Sequence, residues 1–474
     1  MKNLIKKGVI LFILLLSCKK TKPSSQILEL PEVYEDWMGM YVGGSKIGYV
    51  YTRVEKIDTG WVFRQKTRMK IVLMGREERF SSNFDAWTDE DFELTSFEFD
   101  IASRQHRFHA KGERERNKLV MQVETAEKSF KKEWNIKKKL FPPSAIGLYL
   151  LKEKKKKGTI KISIFEPTAL SVVDAEIEIL GEEEIKIKGS IYKTLHFVTK
   201  MLGMESQVWI DSTGLSIKEL QEPKVTMIRE TREEALKVES EVAKLDLLSY
   251  FSIKTDSVIK NPRGIKYLKV KIIGIDSVGD LKFENDFQNF EFRKDTMTLI
   301  IKKPELSEIK NTTKRINRFL KPSLYIQSND PKIIKKAKEL TKGIVGPKEK
   351  VERIVEWLFK NIKKRATASI PSAVEVLETM EGDCNEHAIL LAALVRALGI
   401  PAKIVVGVVY LGDAFYYHAW NSVYLGGKWI PVDASFKAFP ADPTHIQFNE
   451  GELTEQAKVL RIVGRIKIKI EEYH

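Results

Sequence analysis

"EGDCNEHAILLAALVRALGIPAK", residues 381–403, reads as a helix with a thiol at its mouth. Gly382 breaks any preceding helix. Asp383 is an N-cap residue, and Glu386 three positions on completes an Asp-x-x-Glu capping pair. Cys384 is then the first helical residue. The helix runs on to Leu398, where Gly399 and Pro401 stop it. At that position a thiol meets unpaired backbone amides and the positive end of the helix dipole. Both favour a thiolate and could also hold an oxyanion. Asp383 and Glu386 oppose the negative sulfur, so a cationic partner is required.

Seven histidines are available, of which His387, His418 and His445 are the candidates near Cys384 in sequence. "FYYHAWNSVYLGGKWIPVDASF" (415–436) reads as a hairpin turning on Gly426-Gly427. With Leu425 paired to Lys428, Trp420 falls opposite Asp433 and His418 opposite Ser435. His418 and Asp433 then share a face as diagonal neighbours, about 7 to 8 Å apart between backbones. An Asp so placed orients an imidazole and stabilises its protonated form. His387, one turn along the helix, lies on its flank with no carboxylate aimed at it. His445, in "ADPTHIQF", could close over the cleft.

The chain's other cysteine is Cys18. Three lysines before residue 8, an apolar run from Gly8 to Leu16 and Ser17-Cys18 form an export signal too short to span a bilayer comfortably. Leu15-Leu16-Ser17-Cys18 resembles the lipobox of bacterial lipoproteins. That resemblance implies that residues 1–18 are removed as far as a lipidated Cys18, which leaves the mature protein anchored in the cell envelope with one thiol, Cys384. Lys19 after Cys18 points by the same analogy to a periplasm-facing position at the outer membrane. "KKTKPSSQ" opens a polar tether, residues 19–34.

The 80 Lys and Arg exceed the 65 Asp and Glu, a formal +15. The excess is scattered in blocks such as "KEKKKKGTIK" (152–161), which solvate faces or meet anionic headgroups. Export and the lack of a basic stripe interleaved with aromatics exclude a nucleic-acid role. No cofactor is expected. Nor is a metal: His106 and His109 in "RQHRFHA" read as surface residues without a carboxylate beside them.

From about residue 35 to 230 the pattern alternates with period two, as in "KIGYVYTRVEK" and "FELTSFEFDI", and predicts a large antiparallel sheet. Residues 231–325 read as a helical linker opened by the Thr231-x-x-Glu234 cap, then a small β module with strands at "IKYLKVKIIGI", "LKFEN" and "MTLIIKK". Residues 326–474 form a third region. Asp330-Pro331 starts one helix, and Gly346-Pro347 starts another with a stripe of Val351, Ile354, Val355, Leu358 and Ile362. The fold class expected is α+β, multidomain.

Over roughly residues 330–455, "GDCNEHAILLAALVRALGIPAKIVVGVVY", "YYHAWNSVYLGGKWIPVDASF" and "FPADPTHI" resemble the transglutaminase-like superfamily in its bacterial branch. The resemblance implies a papain-like α+β core with Cys384 as nucleophile, His418 as base and then acid, and Asp433 as its orienter. Asp383, Asn385, His387, Trp420 and His445 are candidates to line the site. Animal transglutaminases usually carry Trp after the cysteine, where Asn385 stands here, and no clear calcium loop is present. A thiol-dependent peptidase or amidase acting on protein or peptide amides through a thioester is therefore expected. Cross-linking acyl transfer and a non-catalytic binding scaffold are the alternatives. The first β region resembles, at the level of fold alone, the lipid-binding half-barrels of envelope proteins.

Overall fold

The structure, a computed structural model, describes residues 32–73, 75–103, 107–124, 129–240, 245–275, 277–279, 281–365, 372–451 and 453–474. The export signal, Cys18, most of the 19–34 tether and His106 lie outside the described residues. Among those described, no helix is long and apolar enough to cross a membrane.

The predicted large sheet has fifteen strands, and its order is set by the pairing of its first strand in sequence with its last. Val33–Val42 lies in the interior of the sheet. On one side the chain steps outward, hairpin by hairpin, to Ser129–Asn135. On the other Val33–Val42 pairs antiparallel with Val225–Arg229, from which the sheet runs backward to Gly158–Glu166 and Leu140–Phe141. Only the last pair is parallel. Alternation does the work: in Leu94–Ala102 the side chains of Leu94, Phe97 and Phe99 are buried and their neighbours are not. Phe165 of Gly158–Glu166 stacks on Phe97 at 4.0 Å, so strands distant in sheet order fold over one aromatic core. His109 pairs across strands with Asp100 at 3.0 Å, which corrects the expectation that it lacked a carboxylate.

Thr231 and Glu234 form the reciprocal cap, at 3.2 and 3.1 Å, and open Arg232–Ser240. The next sheet holds Gln288–Arg293, Thr296–Lys302, Tyr267–Ile273 and Lys467–Tyr473, the last supplied by the chain's far end. "LKFEN" forms no strand: Leu281 and Phe283 are buried from a loop. This sheet shares a core with the next one, Val270 and Leu299 packing in the same cluster as Val408, Phe415 and Phe448. Ile253–Lys254 extends that neighbouring sheet by pairing with Ala414–Leu425.

Four helices cover the other face. Asp330 caps Pro331–Leu340 by accepting from the Lys332 amide at 2.8 Å. Pro347–Asn361 buries Val351, Ile354, Val355 and Leu358 as the stripe required, with Ile362 buried as its C-cap. Ala373–Thr379, not read from the sequence, is opened by a Ser372–Glu375 capping box. Cys384–Ala397 is the central helix, buried on nearly every side from Glu386 to Arg396. It lies between the other helices and the sheet Ile253–Lys254, Ala414–Leu425, Ala402–Leu411 and Ile446–Glu450, with Lys428–Val432 paired to Ala414–Leu425.

Gly407 holds this arrangement together, since it pairs with His418 on one side and Gln447 on the other. A Cβ there would strike the Ile446 carbonyl and meet the Trp420 ring at 3.0 Å. Gly407→Ala is expected to cost about 1–3 kcal/mol, read as a lowered urea midpoint; an unchanged midpoint would show that the three strands are not packed this closely.

Candidate functional site

The Cys384 helix begins as its sequence dictates. Asp383 accepts from the Asn385 amide at 2.9 Å, Glu386 accepts from the Asp383 amide at 2.7 Å, and the Asp383 carbonyl takes the His387 amide at 3.1 Å. The capping box also binds the Glu386 amide. Of the first-turn amides, that of Cys384 has no partner among the described residues.

Cys384 is partly exposed, but its side chain packs against the apolar cluster that includes Tyr417. Burial first, and then the negative charge of Asp383, pushes the thiol well above its ordinary range; Glu386 and Asp433 add to this and the Ala419 amide alone opposes it. Both effects favour the neutral thiol over the thiolate. The opposition of Asp383 and Glu386 to the helix dipole is the one expected from the sequence, and desolvation and Asp433 add to it.

The hairpin turns on Gly426 and Gly427, both at positive φ, 61° and 91°. Its register is the predicted one from Leu425–Lys428 to Asn421–Val432. Pro431 is tolerated because its strand is at an edge. Beyond Val432 the prediction fails: Asp433 caps a short 3-10 turn, Ala434–Phe436, so neither Trp420–Asp433 nor His418–Ser435 forms a ladder pair. The cap nevertheless aims the carboxylate. Asp433 Oδ1 accepts from the Ser435 amide at 2.8 Å and hydroxyl at 2.7 Å, while Oδ2 accepts from His418 Nε2 at 2.6 Å.

Burial works against ionising Asp433, but His418 and His445 hold its carboxyl well below the usual range. An ionised acceptor requires a proton on His418 Nε2, so Nδ1 is the nitrogen left for exchange with another group. Trp420, itself buried, lies nearly parallel to the His418 ring at 6.1 Å, and Phe436 meets it edge-on at 5.3 Å. The Ala419 amide that faces the sulfur belongs to the residue after His418. His418 and Asp433 are thus joined directly, and the helix that carries Cys384 packs on Ala414–Leu425, the strand that carries His418.

His445 does not close over the cleft. It is buried, its Nε2 donating to the same Asp433 Oδ2 at 3.0 Å and its Nδ1 bonded to the Asp442 carbonyl at 3.1 Å. Burial opposes its charge, yet Asp442 and Asp433 carry it from 6.5 up to about 9. Arg263 holds Asp442 at 2.7 Å. Nothing local marks Arg263, which sits in a turn 179 residues earlier in the chain; Asp442 could have been noticed as the acid of Asp-Pro-Thr-His. His387 is buried rather than on an open flank. Its Nδ1 donates to the Asp383 carbonyl at 2.6 Å, burial pushes its pKa down, and its Nε2 has no hydrogen-bond partner among the described residues. Asp383 and Asn385 are half-buried at the helix mouth.

Among the described residues, His418, Asp433 and His445 are the grouping of His, Cys, Asp and Glu whose donor atoms, within 4.8 Å of one another, could hold a metal ion. Both imidazoles already donate to one carboxylate oxygen, so the group is a complete hydrogen-bonded cluster.

Residues 334–434 match the family model of the transglutaminase-like superfamily, a span that contains Cys384, His418 and Asp433. No curated protein matches the chain. Three solved structures are similar over part of it. A candidate cysteine protease from Cytophaga hutchinsonii is 21% identical, over 44% of this chain and 86% of its own, with a TM-score of 0.30. The periplasmic domain of TgpA from Pseudomonas aeruginosa, bound to ethylmercury, is 15% identical over 39% and 89%, with a TM-score of 0.28. A beta-barrel-like protein of unknown function from Brucella abortus is 9% identical over 43% and 97%, with a TM-score of 0.34.

Asp383→Asn keeps a capping oxygen and removes the charge that most strongly opposes the thiolate after burial. Alkylation of Cys384 by iodoacetamide, followed by peptide mass spectrometry, is expected to run about three- to tenfold faster in that variant at pH 8. In the parent the rate should still be climbing at pH 9. A parent rate already level at pH 7 would mean a preformed thiolate and would refute the neutral-thiol assignment.

Proposed function

With a transglutaminase-like domain at residues 334–434, we propose that the protein is a thiol-dependent amide hydrolase or acyltransferase, with Cys384 as nucleophile, His418 as base and acid, and Asp433 as its orienter. The observation that carries this reading is the 2.6 Å bond from His418 Nε2 to an ionised, buried Asp433. It fixes Nε2 as the ring's donor to Asp433 and leaves Nδ1 without that bond, on the strand against which the Cys384 helix packs.

The chemistry follows from that state. As Cys384 Sγ attacks the carbonyl carbon of an amide, its proton passes to His418 Nδ1, so no isolated thiolate has to exist beforehand. The carbonyl electron pair moves to oxygen, toward the unpaired Cys384 amide. Collapse of the intermediate breaks the C–N bond, and the imidazolium gives its proton to the departing amine, leaving a thioester. Asp433 balances the imidazolium charge while it exists. Water then attacks the thioester to release an acid, or an amine attacks to form a new amide; His418 accepts the proton of either and returns it to sulfur.

Hydrolysis of protein or peptide amides is the favoured outcome, because Asn385 beside the nucleophile leaves the helix mouth polar and half-open to water. The lipobox-like Leu15-Leu16-Ser17-Cys18 supports a lipid-anchored place in the cell envelope, facing the periplasm at the outer membrane.

Full-length protein incubated with envelope extract and monodansylcadaverine tests both outcomes at once. Peptides with new termini are expected from the parent, and Cys384→Ala should reduce their release by about a thousandfold or more while leaving the fold intact. Dansyl incorporation that depends on Cys384 would move the reading to acyl transfer. Equal release and no incorporation by parent and variant would leave the domain a binding scaffold.

A further inference from the structure

The proposed triad does not use His445, yet the imidazole is buried and shares its carboxylate oxygen with His418. We propose that His445 is a positioning residue for the centre: a second donor on Asp433 Oδ2 that fixes the carboxylate and offsets the field that Asp433 exerts on His418. This rests on the reading of His418 as the base.

Asp433 is tied by four hydrogen bonds. Ser435 supplies two to Oδ1, and the two imidazoles one each to Oδ2. Without His445 the oxygen that orients the base would keep a single bond, and only the two Ser435 bonds on Oδ1 would hold the carboxylate from its other side. His445 is held in turn from its other edge. Asp442 binds Nδ1 through its carbonyl at 3.1 Å and lies with a carboxylate oxygen 3.4 Å away. Arg263 fixes that carboxylate at 2.7 Å, and its guanidinium covers the Phe436 ring at 4.7 Å. From Arg263 through Asp442 and His445 to Asp433, cation and anion alternate.

The charged groups around His445 are therefore Asp433 and Asp442 in contact, Arg263 behind Asp442, His418 with its ring centre 6.0 Å away, and Lys302, which lines the small cavity beside it. The uncharged Trp420 and Phe436 rings close the remaining sides. Two carboxylates in contact keep His445 a cation up to about pH 9. A permanent cation on the carboxylate has a chemical consequence. Were Asp433 to act on His418 with its full charge, the ring would hold its proton too firmly to serve as a base toward the thiol or an acid toward the leaving amine. Sharing the carboxylate weakens that hold without releasing the orientation.

Full-length protein carrying ring-15N histidine tests this by NMR. In the parent, both ring nitrogens of His445 are expected to stay protonated at pH 8. In His445→Gln, whose amide can still donate to Asp433, the pH at which His418 gives up its proton should rise by about one unit relative to the parent. A folded His445→Gln with an unmoved His418 titration, or a neutral His445 at pH 8 in the parent, would overturn the proposal. If His445→Gln does not fold, Asp442→Asn serves: His445 should lose its proton at a lower pH than in the parent, and an unchanged titration would overturn the proposal equally. These readouts need no turnover. An inactive Cys384→Ala alongside an unmoved His418 would sink this inference alone, whereas a moved His418 alongside an unaffected Cys384→Ala would sink the reaction and leave the coupling.

Discussion

One carboxylate organises this site. Asp433 is buried, and a buried carboxylate is stable only when hydrogen bonds and opposite charge replace the water it has lost. Here the replacement comes from a short turn that caps itself on Oδ1 and from two imidazoles on Oδ2. The same bonds that make the charge tolerable fix the tautomer and direction of His418. Stability and orientation are thus one requirement. The position of every other polar group in the site, from Ser435 to Arg263, follows from meeting it.

The surrounding fold is what allows a charge to be kept there. The Cys384 helix is the hydrophobic centre of its region, with Leu390, Leu391 and Leu394 fully buried, and only its first turn reaches polar surroundings. The sheet beneath it shares a core with a neighbouring sheet, which the chain's last strand, Lys467–Tyr473, completes by pairing with Tyr267–Ile273. A site of this kind needs a rigid strand under the base and a rigid helix end under the nucleophile. Both are held by backbone ladders and apolar packing. The fifteen-stranded sheet contributes no residue to the cluster of Cys384, His418, Asp433 and His445.

How far the sequence could be read depended on whether an interaction was local. The ends of the Cys384 helix were legible because Asp383, Glu386 and Gly399 act within a few residues of themselves. The hairpin register was legible because a two-residue Gly-Gly turn leaves no freedom in the count. It was lost at Asp433, where a side chain able to cap a turn competes with one more ladder pair and wins; the contact with His418 survived because the cap points the carboxylate to the same side. The opposition of Asp383 and Glu386 to a thiolate was legible because it too is local, but the larger effect of burial was not, since it depends on packing that no local pattern encodes. Asp442 and His445 sit within four residues of each other, but Arg263 reaches them from 179 residues away. "KIKIEEY" alternates as a strand does, but its pairing with Tyr267–Ile273, far back in the chain, is not encoded locally.

The account's central claim is that the thiol and the imidazole form one working pair, with His418 presenting Nδ1 to the sulfur. The separation between Cys384 Sγ and His418 Nδ1 in a crystal structure of the chain tests it most directly. The account predicts about 3 to 4 Å, with Nε2 on Asp433. A separation beyond about 6 Å, or a ring turned so that Nδ1 meets Asp433, would contradict it.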